Sequence, residues 1–363
     1  MATTMTSTCQ ADLSLTYEAM IQAAVAAPSP DNNQPWLFRI TAEGLQVFLD
    51  HSRSLPSDVA SMFDLTALGA AVENAVIAAA EQGQTAEVLW SGEQGLTPGV
   101  DHPIAIIKLR AGGTPDPLFS AITKRCTNRK MYASKPLEPS VLLEVQAACA
   151  CFPEVQVDWL VTRSEKQQFG KLIALTDLLR FQHRPFHEEL FRQLRFRPSE
   201  AEATADGLDV RTLELPPGVG SALHILRNWN TMQMIHTLRL TSLLTIPAKI
   251  SVQRSGAIVV LSVPTSSAEN FLMGGRAIQR LWLAGAAMGL AMHPMGSLPI
   301  FLLQDNPKPA FRATIEKARK GVSSLLPSVA GRVIQLALRV GTSAPPSQRS
   351  LRRPAEQVIL EQQ

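Results

Sequence analysis

The sequence predicts an α+β chain in which one helix-and-strand unit occurs twice, with mixed or antiparallel sheets flanked by helices. Two internal matches and the order of the elements carry this reading. IQAAVAA at 21–27 resembles VQAACAC at 145–151, and each is followed by Trp-Leu in a strand-like run, Trp36-Leu37 and Trp159-Leu160. AVENAVIAAAEQG at 71–83 resembles AIQRLWLAGAAMG at 277–289, with identities at 71/277, 78/284, 80/286 and 83/289. Both copies end in Gly, the residue that closes a helix in a left-handed conformation. Helical and strand runs do not alternate strictly, which favours α+β over a doubly wound sheet.

The alanine-rich residues 14–27 predict a helix. The aromatic and β-branched run at 36–49 predicts strand. A helix over 65–83 and strands near 86–90 and 104–110 complete the first copy. A helix over 139–151 and a strand at 155–162 open the second. GAIVVLSVP, apolar throughout and bounded by Gly and Pro, predicts a buried strand at 256–263. Helices follow at 270–289 and 308–320, then the strand-like LALRVG at 336–341. The second copy carries about 83 more residues between its Trp-Leu and its long helix than the first, placed near 165–250, with helices at 165–195 and 222–245. Such an insertion serves as a lid, an interface arm or a structural extension. The expected halves are 1–117 and 118–363.

A formal net charge of +3 on 363 residues gives no nucleic-acid footprint. The basic run at 192–197 reads as a solvated helix face. Cysteines 9, 126, 149 and 151 form no CxxC pair, which fits a reducing cytoplasm. The N-terminal stretch lacks the pattern of a signal peptide. The apolar run at 68–80 is interrupted by Glu73 and Asn74, so no membrane partner is expected. GxGxxG, GxxxxGK[ST], HExxH and GxSxG are absent. His183 and His187 have metal-ligand spacing, but Pro185 lies between them and no third ligand is evident. They read as surface histidines, with no metal, and Cys149 and Cys151 read as small core residues.

Three polar clusters remain: APSPDNNQPW at 27–36, KRCTNR at 124–129 and RSLRRP at 349–354. Arg binds phosphate bidentately and stays charged. Thr and Ser add hydroxyls, and Asn and Gln match the mixed donor and acceptor edge of a pyrimidine-like ring. A phosphorylated heteroaromatic ligand would use all of these. Taken singly, KRCTNR also reads as an exposed helix turn and RSLRRP as a basic tail.

Pro28, Ser29, Asn32, Gln34, Pro35 and Trp36 spell P-S-x-x-N-x-Q-P-W, which resembles the flavin-side loop of the nitroreductase superfamily. Arg125-x-Thr127-Asn128-Arg129, followed by Tyr132 and Lys135-Pro136, resembles its R-x-S/T-x-R signature. The run from Gly274 to Leu283, with His293-Pro294-Met295-Gly296, resembles its central helix and the loop over the flavin. Arg352-Arg353-Pro354 resembles its C-terminal end. The repeat is similar to the single-chain tandem subgroup typified by mycobacterial Acg proteins. The resemblance implies an intrachain pseudo-dimer, with further homodimerisation left open.

By resemblance, FMN is the cofactor and NAD(P)H a transient co-substrate. The acceptor would be a nitroaromatic, quinone or related small molecule, and the flavin, not a side chain, would carry the chemistry. The alternative is a chain that sequesters FMN with little turnover. Arg125, Thr127, Asn128, Arg129, Arg352 and Arg353 would meet the phosphate, ribityl or pyrimidine groups. Pro28, Ser29, Asn32 and Gln34 would reach across from the first copy. Pro294 would sit in the loop over the ring, with the Met295 and Gly296 amides near the hydride-carrying nitrogen. The loop is intact only in the first copy and the arginine signature only in the second, which implies one FMN site per chain.

Overall fold

The computed structural model describes residues 2–98 and 102–361, and the Cys9 side chain lies outside the described ones. The first half runs α1 (Ala2–Val25), a hairpin of β1 (Trp36–Thr41) and β2 (Gly44–Leu49), α2 (Met62–Glu81), β3 (Gln84–Trp90), β4 (Ala105–Ala111) and α3 (Phe119–Ile122). The second opens with α4 (Pro139–Ala147) and β5 (Gln156–Leu160). A long excursion follows: α5 (Arg163–Gln182), α6 (Arg184–Gln193), β6 (Leu194–Arg195), α7 (Pro198–Thr204), β7 (Leu208–Asp209), α8 (Val219–Leu226), α9 (Trp229–Thr237) and α10 (Ile246–Gln253). The chain then forms β8 (Ala257–Val263), α11 (Ala268–Ala287), β9 (Ala291–Pro294), α12 (Ser297–Leu302), α13 (Pro309–Leu325) and β10 (Val333–Gly341).

Two four-stranded sheets result, ordered β1-β2-β4-β3 and β5-β8-β10-β9, with antiparallel neighbours throughout. The orders correspond strand for strand, and α2 and α11 each follow the second strand of their set. Among the described residues, parallel pairing occurs in the small β6–β7 sheet and at two isolated bridges, Phe38 with Ile359 and Thr127 with Met292. In the first sheet only Ala42 and Glu43 separate the paired strands, whereas the equivalent connection in the second contains the whole α5–α10 excursion. One contiguous core joins the halves, with Ile21, Trp36 and Leu68 in the same cluster as Ile278, Trp282 and Leu338.

The α2–α11 contact has the reciprocity of a two-fold interface, in which a contact from i to j is matched by one between their equivalents. Asn74 accepts from Gln279 Nε2 at 2.7 Å, and the equivalent pair, Arg280 and Glu73, meets at 2.9 Å. Gly69 and Gly275, themselves equivalent, sit where the helices cross. A methyl group on Gly69 would overlap the Leu272 carbonyl oxygen, and one on Gly275 the equivalent Thr66 carbonyl. α2 is long and apolar enough to cross a membrane, yet it is almost wholly buried in this core. Glu73 is buried and also accepts from Arg276 at 2.8 Å. Glu73→Gln is expected to destabilise the chain by about 3 kcal/mol, because two guanidiniums lose their shared carboxylate. Arg276 and Arg280 retain some solvent, which places the effect at the low end; an unchanged denaturation midpoint would refute it.

Segments also cross between the halves. Phe38 donates to Val358 O at 2.8 Å and accepts from Leu360 N at 2.7 Å, so the C-terminal strand segment covers the β1 edge. Thr127 pairs with Met292 at the β9 edge, where Asn128 N donates to Met292 O at 2.9 Å.

Some elements depart from expectation. The helix predicted over 165–195 breaks at His183, whose φ of −123° is extended, because Pro185 cannot continue an α5 ladder. The helix predicted over 222–245 divides into α8, α9 and a 3-10 turn at Thr241–Thr245. His187 is not at the surface: it is buried, its Nε2 lies 2.8 Å from Leu226 O, and its ring packs against Phe191 and Trp229. Cys149 is buried, with its thiol donating to Ala277 O, but Cys151 is exposed.

Candidate functional site

The loop after α1 holds an unusual backbone. Asp31, Asn32 and Gln34 have φ of 46°, 59° and 52°, a left-handed region that Asp and Asn tolerate and Gln rarely adopts. Side chains hold it there. Gln34 N donates to Ser29 Oγ at 3.0 Å, and Gln34 Nε2 donates to Ala205 O at 2.8 Å in the excursion. Gln34 Oε1 accepts from Arg353 N at 2.8 Å. Asn33 donates to Arg53 O and to Asp64. Asn32 donates to Leu351 O at 3.1 Å and accepts from Arg352 at 2.8 Å. The polar decoration thus clamps the loop between the excursion and the C-terminal segment.

That clamp gathers guanidinium groups. Arg125 is buried, donates to Ala26 O at 2.9 Å and lies 4.8 Å from the Trp282 ring centroid. Arg349 donates to Arg125 O at 2.7 Å, and Arg352 donates to Ala27 O. Among the described residues, none of Arg125, Arg129, Arg349 and Arg352 forms an ion pair, and Arg125 Nε is buried without a partner. Burial, then Arg352 and Arg349, lowers the Arg125 pKa to about 9. Burial and then Arg349 lowers that of Arg352 to about 10. A buried guanidinium without a carboxylate partner, with the less buried Arg352 beside it, favours an anionic ligand.

A cavity of about 350 Å³ opens beside them, walled by Pro28, Ser29 and Asn32 from the loop, Thr127 and Arg129 after α3, and Arg352. Pro294, Met295 and Gly296 line it after β9. Trp282 and Ile278 of α11 give it an apolar wall. Met295 N donates to Ala337 O at 2.7 Å, whereas Gly296 N makes no hydrogen bond among the described residues. Arg339 Nε donates to His293 Nδ1 at 3.0 Å, which fixes the imidazole proton on Nε2. Burial, then the Arg339 and Arg129 charges, holds the His293 pKa well below its usual value, so this ring stays neutral. Arg125, Asn128, Gln34 and Arg353 stand outside the wall. Asn128 donates to Ala344 O at 2.8 Å and Arg353 to Gln357 O at 2.8 Å, so these side chains brace the wall.

No family model matches the chain. A curated relative, "Uncharacterized protein MT1398" of Mycobacterium tuberculosis (strain CDC 1551 / Oshkosh), is 29% identical over 349 residues, covering 93% of this chain and 47% of the relative. The chain therefore spans about half the length of the curated relative it matches. Among solved structures, the FMN- and NADPH-dependent nitroreductase NfnB of a Sphingopyxis strain is similar at 12% identity, covering 68% of this chain and 99% of that one, with a TM-score of 0.41. The FMN-dependent nitroreductase NfnB of Mycobacterium smegmatis, in complex with NADPH, is similar at 13% identity over 67% and 96% of the two chains, TM-score 0.38. An iodotyrosine deiodinase bound to FMN and 3-iodo-L-tyrosine is similar at 12% identity over 65% and 95%, TM-score 0.37.

The opposite wall of the cavity comes from the excursion: Asp177 and Arg180 of α5, Leu190, Leu208, and Ala248 and Ser251 of α10. Arg180 lies 3.7 Å from Asp31 across the cavity. Burial raises the Asp177 pKa, opposed by its Ser297 hydrogen bond and the Arg180 charge. Phe186, Trp229, Met232 and Met234, the aromatic and sulfur side chains that stand out in this stretch, do not line the cavity. Asp177 and Arg180 belong to the wall without any motif of their own. Asp31 and His293 fall inside recognised runs without having been singled out, and the fixed His293 tautomer depends on Arg339, which is distant in sequence.

Proposed function

We propose that the chain is an FMN-dependent oxidoreductase of the nitroreductase type, passing hydride from NAD(P)H to a nitroaromatic, quinone or related small acceptor. One observation carries the reading: a single cavity gathers the Pro28–Asn32 loop, Thr127, Arg129, Arg352 and the 294–296 turn, residues from separate stretches that share one ligand chemistry. The donor set fits FMN. Arg125, Arg349 and Arg352, with Arg129 opposite Asp31, present a net positive charge, which suits a phosphate. Ser29, Thr127 and Asn32 suit hydroxyl and ring-edge groups, and Trp282 and Ile278 suit a flat ring. Bound there, FMN supplies the hydride chemistry that no cavity side chain possesses. The Gly296 N–H and the His293 Nε2–H are fixed neutral donors for a ring edge. Preorganised donors and nearby cations stabilise negative charge that develops on a ligand in such a site.

In this reading the two halves form an intrachain pseudo-dimer that retains one site. At the twin of the loop, Phe152 is buried and the Arg276 guanidinium lies 5.1 Å from its ring centroid, where the first half has its Ser and Asn. Fully loaded protein is expected to hold one FMN per chain by absorbance, and a ratio near two would sink the single-site arrangement. The six excursion residues on the cavity wall favour a second reading, a protein that stores FMN behind a closed face. Anaerobic NAD(P)H separates the two, since rapid bleaching of the yellow protein supports turnover and persistent colour supports storage.

A further inference from the structure

Residues 215–268 contain no Asp or Glu, yet they contain Arg227, Arg239, Lys249 and Arg254. The same stretch concentrates exposed apolar side chains. Met234 and Leu238, one turn apart on and just after α9, are 58% and 59% exposed. Leu240, Leu243, Ile246 and Ile250 are exposed at three- and four-residue spacing from the 3-10 turn into α10. That spacing puts neighbours on one side of a helical turn. Ile225 of α8, which packs against α9, is 63% exposed. Isolated exposed leucines are ordinary, but a run of them over three contacting elements marks an interaction surface. Arg227, Arg239 and Arg254 are exposed among them.

We propose that this face of the excursion docks on an anionic lipid surface. Apolar side chains enter the headgroup boundary while Lys and Arg meet anionic headgroups, the pairing that holds amphipathic helices on membranes. A second copy of the chain fits less well. A self-complementary contact would set these cations against their own copies, and the stretch has no carboxylate to pair with them. Adsorption leaves the buried α2 in place, and it departs from the sequence expectation of no membrane partner, which rested on α2 alone. α10 connects the docking face to the cavity: Ile246 and Ile250 are exposed while Ala248 and Ser251 line the cavity wall. A lipid-soluble molecule would therefore need to pass only one helix. The docking is independent of the flavin reading, because chain without FMN presents the same face.

Co-sedimentation of the full chain with vesicles tests this. The chain is expected to pellet with equimolar phosphatidylcholine and phosphatidylglycerol, to stay largely free with phosphatidylcholine alone, and to be released by added salt. Arg239→Gln with Arg254→Gln is expected to weaken the partition roughly 25-fold, at about fivefold for each cation. Leu243→Gln with Ile250→Gln should weaken it at unchanged thermal midpoint, since both side chains are exposed. Failure to pellet with either vesicle, or equal pelleting with both, overturns the proposal. So does a concentration-dependent dimer in light scattering that Leu243→Gln abolishes, which would give the face to a second copy.

Discussion

Gly69→Ala is expected to lower the unfolding free energy of the apo chain by about 3 kcal/mol, near the upper end of overpacking effects, because backbone rather than a movable side chain receives the new methyl group. The atom it meets is the Leu272 carbonyl oxygen of α11. The two helices must separate, and the Asn74–Gln279 and Glu73–Arg280 bonds one turn beyond the crossing then lengthen together. Gly275→Ala should have a similar effect, since its methyl group would meet the equivalent Thr66 carbonyl. The double variant should fall short of the sum, because once the helices have moved apart the second methyl finds room. Gly220→Ala is the control: its methyl group would meet nothing closer than 3.8 Å. Denaturant titration reads all four, and unchanged midpoints for the first two would mean that the crossing is not as tight as the backbone geometry requires.

Arg129→Met is expected to weaken FMN binding by roughly a hundredfold while leaving the apo chain about as stable as before. A charge-assisted contact to phosphate or a ring carbonyl is worth about 2–5 kcal/mol when truncated. The apo chain loses little because Arg129 has one hydrogen bond, a 3.3 Å donation to Thr212 O, and burial disfavours its charge. Burial lowers its pKa, with the Asp31 charge opposing and Arg339 adding to the effect. Met preserves the apolar stem and removes the charge. Fluorescence titration with FMN and thermal melting of the apo protein are the paired readouts. A destabilised apo chain with unaltered affinity would return Arg129 to a structural role.

The doubled topology was legible because a helix that packs against its own twin keeps the same small and apolar positions in both copies. Even so, the most telling pair, Gly69 and Gly275, lies just before the stretch where the sequence match is visible. The loop and arginine motifs meet at one cavity. They did not distinguish residues that face the cavity from those that hold it: Gln34 and Asn128 carry the same polar chemistry as Asn32 and Thr127 but bond to backbone elsewhere. Nothing local signals Asp177, Arg180 or the His293 tautomer, since each depends on a partner brought in by tertiary folding. Helix ends in the excursion failed for a simpler reason. Periodicity continued through His183 and Arg227: Pro185 marks the first break in the sequence, and only the backbone geometry reveals the second.

The pairing of Phe38 with the 358–360 segment has a consequence for how the chain is made. A ribosome working at about 5–20 residues per second needs roughly 15–60 s to supply the partner that lies about 320 residues downstream. During that interval the β1 edge is uncovered, α2 lacks α11, and the Pro28–Asn32 loop lacks the Leu351 and Arg352 contacts that hold it. The nascent first half thus presents an open strand edge and an unpaired apolar helix until residues 351–360 are made, and the loop that lines the cavity is clamped only then.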